Sequence, residues 1–178
     1  MESPPEVNLR VALEGDSLLL ANLLQLYIHD LSAVFPGIQV GADGRFGYPK
    51  LPLYWSEPTR RFPFLIQLGA RPAGFVLATR GSPVSEDPEV LDIAEFFVLR
   101  GERRASVGRA AARLLWDQLP GRWTVRVSEG NRGALPFWSR VIDEFTNGRA
   151  KQSERPGQPN SWRVFSFETA ARTPAQSP

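Results

Sequence analysis

Just before an apolar pattern spaced by threes and fours, the chain reads Arg100-Gly101-Glu102-Arg103-Arg104-Ala105-Ser106-Val107-Gly108-Arg109. Helical spacing begins within this stretch, at Val107, Ala111, Leu114, Leu115 and Gln118, so the turn is a helix start. The first amides of a helix have no partner within it, and they point outward with the positive end of the helix dipole. Ala105, Ser106 and Gly108 are small enough to let anionic oxygens approach those amides, and Arg103, Arg104 and Arg109 can add charge-assisted bonds. The chemistry on offer is phosphate binding. No Gly-Lys-Ser/Thr follows, which excludes a Walker loop, and the glycines of the dinucleotide fingerprint are missing.

Nucleophile and metal chemistry are narrowed by what is absent. With Cys 0 and His 1, the sequence has no thiolate, no disulfide, no covalent Cys acyl-enzyme and no His-rich metal cluster. His29 can serve acid–base work, but a lone helical His is more often a surface or packing residue. Phe46, Tyr48, Tyr54 and Trp55 sit in a long stretch without periodicity, where they either line a pocket for an apolar or cationic group or pack the core. Arg60-Arg61, in the same stretch, either attracts an anionic group of a substrate or cofactor or is a solvated pair. Trp116, Trp123 and Trp162 fall in regular elements and read as core.

The elements that must position these groups follow from periodicity. Residues 8–13 alternate as a strand, and Asp16 or Ser17 caps a helix running to Val34 with a stripe of Leu20, Leu23, Leu24, Tyr27 and Leu31. Residues 35–63 read as loop and short helix. Apolar runs at 63–68 and 73–79 flank a turn at 69–72, giving a hairpin, and a further strand spans 90–99. After the helix that ends at Pro120-Gly121 come a strand at 123–127, a short helix at 134–142 with Pro136 in its first turn, and a strand at 162–167. This order predicts a mixed α/β domain with both hairpins and crossovers. Residues 1–7 are expected to be a disordered N-terminus, 8–169 a single domain, and 170–178 a disordered tail.

Composition bounds the partners. The 178 residues suit one domain, and a net charge of +2, with every basic residue but Lys50 and Lys151 an Arg, does not make a basic nucleic-acid-binding tract. The acidic, proline-bearing first residues lack the basic start and apolar core of an export signal. The longest apolar run, 18–24, is broken by Asn22 and falls short of the roughly 20 residues of a membrane span. The expectation is a soluble cytoplasmic protein with no nucleic-acid or membrane partner.

Two motifs make the reading specific. Glu95-Phe96-Phe97-Val98 followed by Arg103-x-x-Ser106-x-Gly108-Arg109-Ala110 resembles the signature of the GNAT superfamily of N-acetyltransferases, in which Arg or Gln precedes x-x-Gly-x-Gly/Ala. One strand later, Asn131-x-x-Ala134-x-x-Phe137-Trp138 resembles the superfamily's Asn-x-x-Ala-x-x-aromatic/Leu-Tyr helix. The resemblance implies a central, mostly antiparallel twisted sheet, flanked by helices and splayed where acetyl-CoA binds. It assigns the pyrophosphate to the turn, through Arg103, Arg104, Ala105, Ser106, Val107, Gly108 and Arg109. Pantetheine and the acetyl carbonyl fall to Phe97, Val98 and Leu99, with a bulge or splay near Phe97 freeing an amide, and further cofactor contacts to Asn131, Phe137 and Trp138.

The implied reaction moves acetyl from acetyl-CoA to a primary amine by direct attack, with no metal; the acceptor is a small molecule or a peptide. The alternative is a catalytically weak CoA-binding regulatory domain. Direct attack needs a base. Asp92 lies six residues before Val98, as the base does in some members, whereas Glu95 directly precedes Phe-Phe-Val, as an acidic residue does in polyamine-acetylating relatives. Strand alternation puts the two on opposite faces unless a bulge intervenes, and Glu95 is preferred. Trp138 stands where the superfamily often has the Tyr that protonates the departing thiolate, and an indole N–H has no useful acidity. Tyr27, Tyr48, Tyr54 or solvent must then supply the acid. Ser106 replaces a Gly and must either avoid positive φ or bear strain. Superfamily members are often dimers, which extends a homodimer to this chain as an expectation without locating an interface.

Overall fold

The computed structural model describes residues 6–103 and 106–170. Its strands are β1 (Val7–Val11), β2 (Arg61–Leu68), β3 (Arg71–Arg80), β4 (Leu91–Val98), β5 (Gly121–Ser128), β6 (Lys151–Arg155) and β7 (Trp162–Thr169); its helices are α1 (Ser17–Ser32), α2 (Leu53–Ser56), α3 (Val107–Gln118) and α4 (Ala134–Thr146). They build one sheet in the order β1-β2-β3-β4-β5-β7-β6. Every pairing is antiparallel except β4 with β5. The mixed α/β architecture expected from the element order is the one observed.

Helices cover both faces, and this explains why the central strands read as unbroken apolar runs. Phe64, Ile66, Val76, Ala78 and Ile93 join the core under α3 and α4, while Leu65, Phe75, Leu77 and Phe97 point the other way, under α1 and α2. The buried stripe of α1 is Leu20, Leu23, Leu24 and Ile28; Tyr27 and Leu31, expected in it, are half-buried at its edge. Gly74 is required where it stands. A Cβ there would strike the Phe97 carbonyl, so only glycine lets β3 approach β4 at that level.

Several boundaries move. Val7 already pairs with Leu68, so the N-terminal strand starts inside the segment expected to be disordered. Residues 1–5 and 171–178 lie outside the described residues, as do Arg104 and Ala105. The strand β6 had no counterpart in the sequence reading. Its residues, Lys-Gln-Ser-Glu-Arg, are all exposed and carry no apolar alternation, because an edge strand with two wet faces needs none. Among the described residues no helix is long and apolar enough to cross a membrane.

Candidate active site

The sheet is open in its middle. β4 and β5 pair only at Leu91↔Trp123 and Asp92↔Thr124, and beyond that point they diverge, leaving the β5-facing edge of the rest of β4 without a neighbouring strand. Leu99 donates its N–H to the Ala73 carbonyl at 2.8 Å on the β3 side. By strand alternation the polar groups of Val98 therefore face the opening. Register on β3 is continuous at Phe75↔Phe97, so the bulge expected near Phe97 is not there; the splay is.

The bulge lies three residues earlier. Leu77 pairs with Glu95 and Ala78 with Ile93, so Ala94 is the extra residue. One inserted residue shifts the alternation by one, and Asp92 and Glu95 come to share the α1-side face in spite of their odd spacing. Their surroundings nevertheless differ completely.

Asp92 is fully buried and saturated. It accepts from Thr124 Oγ1 at 2.7 Å, Ser82 Oγ at 3.1 Å, Arg126 Nε at 3.0 Å and Arg126 Nη2 at 2.7 Å. Burial alone would lower the Arg126 pKa, but the paired Asp92 carboxylate, with Glu95 and Tyr27 adding to it, more than offsets it, and the guanidinium is held charged. Asp92, an alternative base by sequence, is a counter-ion at the last point where β4 and β5 meet. Arg126, Thr124 and Ser82 escaped the sequence reading; an Arg between Val125 and Val127 in a buried strand was the available signal.

Glu95 is half-buried and faces the opening. Tyr27 donates its hydroxyl to Oε2 at 2.7 Å and Tyr48 donates to Oε1 at 3.1 Å. Burial raises the Glu95 pKa above the ordinary carboxylate value; the tyrosine bonds and the charges of Arg126 and Lys50 oppose the shift without cancelling it. Burial and the neighbouring carboxylate push Tyr27 and Tyr48 upward. The Tyr27 proton is committed to Glu95, a contact that orients the carboxylate. Tyr54, 2% exposed, is pushed up to about 12 chiefly by burial, and its ring lies under Arg61 at 5.6 Å. Trp55 donates Nε1–H to the Ala12 carbonyl at 3.1 Å. Trp55 is a packing residue with its polar tip occupied, whereas Tyr54, though buried, lines the cleft beside Glu95. His29 is exposed, its ring 6.4 Å from that of Phe46.

At the other end of β4, Ala110 donates its N–H to the Ser106 carbonyl at 2.9 Å, and the amides of Val107, Gly108 and Arg109 have no acceptor among the described residues. Ser106 adopts φ 61, ψ 5, the left-handed conformation that glycine takes without cost, and so bears the strain. The guanidinium groups of Arg100, Arg103 and Arg109 have partners already. Arg103 donates to the Val98 carbonyl at 2.8 Å and to Asp30 at 2.7 Å, with its charge 5.6 Å from the Phe97 ring centre; Arg100 also binds Asp30 at 2.7 Å; Arg109 reaches Ser106 Oγ at 3.1 Å and Glu144 at 3.5 Å.

Gly108 faces inward. A Cβ there would lie 3.1 Å from Phe137 Cζ and 3.6 Å from Val98 Cγ2, so its small size serves the packing of α3 against α4 and β4, and only its N–H remains for an anion. Asn131 accepts the Ala134 N–H on Oδ1 at 3.1 Å and so starts α4. Trp138 is turned into the core, 7% exposed, against Phe96 at 4.9 Å and Trp116 at 6.4 Å. Half-buried Phe137 borders the helix start. Among the described residues no group of His, Asp and Glu is arranged to hold a metal ion.

No family model and no curated protein matches the chain by sequence. Solved structures do match in shape. An acetyltransferase from Thermus thermophilus is 17% identical with a TM-score of 0.63, over 91% of this chain and 96% of that one. A putative acetyltransferase from Salmonella typhimurium, solved with its cofactor acetyl-CoA, is 10% identical with a TM-score of 0.66, over 96% and 99%. A putative acetyltransferase of the GNAT family from Desulfovibrio desulfuricans is 12% identical with a TM-score of 0.59, over 93% and 100%. The open sheet, its splay and its flanking helices are therefore the GNAT fold, the fold that the two sequence motifs imply.

Proposed function

We propose that the protein is an acetyl-CoA-dependent N-acetyltransferase that acts on a primary amine by direct attack. One observation carries this reading: Glu95, its pKa raised and its two oxygens oriented by Tyr27 and Tyr48, looks into an opening whose other end is a helix start whose first amides have no acceptor among the described residues. The similarly folded putative acetyltransferase from Salmonella typhimurium holds acetyl-CoA as its cofactor. The residues present suit that cosubstrate. Val107, Gly108 and Arg109 offer amides to the pyrophosphate, and the free edge of β4 at Phe96 and Val98 offers polar backbone groups to an extended amide chain. The Val98 carbonyl is held by Arg103, so this guanidinium must shift or share its bond when the chain lies alongside.

The bound thioester supplies an activated acetyl carbon. Glu95 takes the proton of the acceptor ammonium, directly or through one water, and frees the lone pair for attack. The new N–C bond forms as the C–S bond breaks, and the nitrogen gives its one remaining excess proton to water, leaving a neutral amide. Glu95 keeps the proton until solvent removes it. A thiol has an ordinary pKa of about 8.5, so the sulfur can leave as a thiolate and be protonated by water, and no acid is needed where Trp138 stands.

Acetyl-CoA affinity by calorimetry, followed by thiol release with a panel of amines, tests the proposal. Binding with amine-dependent release supports it. Absence of binding sinks it, and binding without release for any amine favours the regulatory reading.

A further inference from the structure

Next to Glu95 the opening widens into a cleft of about 440 Å³, walled by α2 and its flanking loop on one side and by β3, β4 and β5 on the other. The charges in that wall are unevenly matched. Glu57 is taken by Arg61 at 2.7 Å and Asp92 by Arg126 at 2.7 Å, while Arg80 turns to Glu89 at 2.9 Å. Lys50 and Arg60 have no carboxylate within ion-pairing distance among the described residues, and Glu95 is the one wall carboxylate without a cationic partner at that distance. The cleft thus presents a free negative group at Glu95 and free positive groups at Arg60 and at Lys50, the latter close enough for its charge to act on Glu95.

Arg60 is placed there by the sheet. Its carbonyl accepts the Arg80 N–H at 2.7 Å, and its Nη2 makes a long contact of 3.4 Å to the Arg80 carbonyl, leaving the rest of the guanidinium unclaimed. Gly81, at φ +89, keeps the space beside that guanidinium open: a Cβ would stand 3.1 Å from Nη2. Leu77 is the β3 residue opposite Glu95, and Arg80 lies three residues on, an offset of about 10 Å at a strand's rise per residue.

We propose that the cleft selects amines with an anionic group, a carboxylate or a phosphate, at their far end. The ammonium is placed at Glu95 and the anion at Arg60, with Lys50 adding positive charge in the same wall. This rests on the transferase reading for the fate of the amine, but not for the binding itself. A second cation at the far end of the acceptor, as in a diamine, would meet Arg60 and be repelled.

The test uses amines of matched length: 6-aminohexanoate, 5-aminopentyl phosphate, hexylamine and 1,6-diaminohexane, with the wild-type chain and a Lys50→Ala/Arg60→Ala double variant. In thiol release, kcat/KM for an anionic amine is expected to exceed that for hexylamine by about tenfold, the scale of two partly exposed ion contacts, with the diamine last. That ratio should collapse in the double variant and return with Arg60→Lys. The two anionic probes distinguish a carboxylate site from a phosphate site. NMR titration without acetyl-CoA gives Kd values that do not depend on turnover. Tighter binding of an anionic amine, lost in the double variant, upholds this proposal even if no amine is acetylated, in which case the transferase reading alone fails. Equal or weaker binding of both anionic probes relative to hexylamine, or a preference for the diamine, overturns it.

Discussion

Glu95→Gln separates proton chemistry from architecture. The side chains have the same shape, so the glutamine oxygen can still accept from Tyr27 at the 2.7 Å position, while the Tyr48 hydroxyl, now beside an amide NH2, rotates to accept instead of donate. Only the affinity for a proton is lost. A positioned base contributes about 10²–10⁴-fold, or roughly 3–5 kcal/mol at 1.36 kcal/mol per tenfold, and kcat should fall by that factor while acetyl-CoA affinity is unchanged. The pH dependence follows from the raised pKa. Glu95 works ionised, so wild-type kcat/KM declines as pH falls through a value above the ordinary carboxylate range, and the variant should lack this limb. Stability moves the other way. A group whose folded pKa is raised contributes stability that is fully present below its unfolded value, about 4.3 for Glu, and is lost as pH rises through the folded value. At neutral pH the native chain therefore carries a partly desolvated charge that glutamine does not, and the variant should melt at the same or a higher temperature, the difference shrinking toward pH 4. Stopped-time thiol release across pH and paired melting curves measure both. An acid limb that survives in the variant, or a melting temperature well below wild type at pH 7, would refute the assignment of Glu95 as a desolvated base.

Two further changes address the parts that hold the site open. Ser106→Gly should relieve left-handed strain of about 1–2 kcal/mol for a side-chain-bearing residue, less about 0.4–1 kcal/mol for the looser unfolded chain, and so raise the melting temperature by about 2 °C; an unchanged or lower value would mean that the hydroxyl's contact with Arg109 matters more than the backbone. Asp92→Asn leaves the buried Arg126 charge without its counter-ion, at about 3 kcal/mol or more, and thermal melts should shift down by about 10 °C. If the protein instead melts normally and loses only turnover, Asp92 is the base and the assignment of Glu95 is wrong.

The fold was largely legible because its elements obey simple periods. The helix from Val107 to Gln118 was bounded correctly by its spacing and by Pro120-Gly121, and the hairpin by a pair of apolar runs around Gly69-Ala70. What stayed hidden depends on contacts between distant segments. Nothing local marks Ala94 as a bulge, since its effect is defined by the partner strand. Tyr48 and Glu95 stand 47 residues apart, and the bond between them required the path of the long loop. Gly108 was legible as small but not as facing Phe137; bulk there would disturb helix packing before it tested any anion. A charged substitution at that position is consequently a poor probe of the pyrophosphate site, and Ser106 is the better one.

The two carboxylates of β4 show how one strand can hold opposite electrostatic demands. Both are withdrawn from water, and a carboxylate charge so placed must be compensated by its surroundings. Asp92 is compensated by a bidentate guanidinium and two hydroxyls, which satisfy its oxygens at the apex of the splay. Glu95 receives phenol protons alone, which orient it without supplying a neutralising charge, and Arg126 is already committed to Asp92. The bulge at Ala94 is what allows both to share one face, so that the same guanidinium anchors the sheet and moderates, from a distance, the proton affinity of the second acid. The opening between β4 and β5 and the basicity of Glu95 are therefore coupled. A change that closes or widens the splay at Asp92 alters the field at Glu95 even when every atom of the proposed base is left in place.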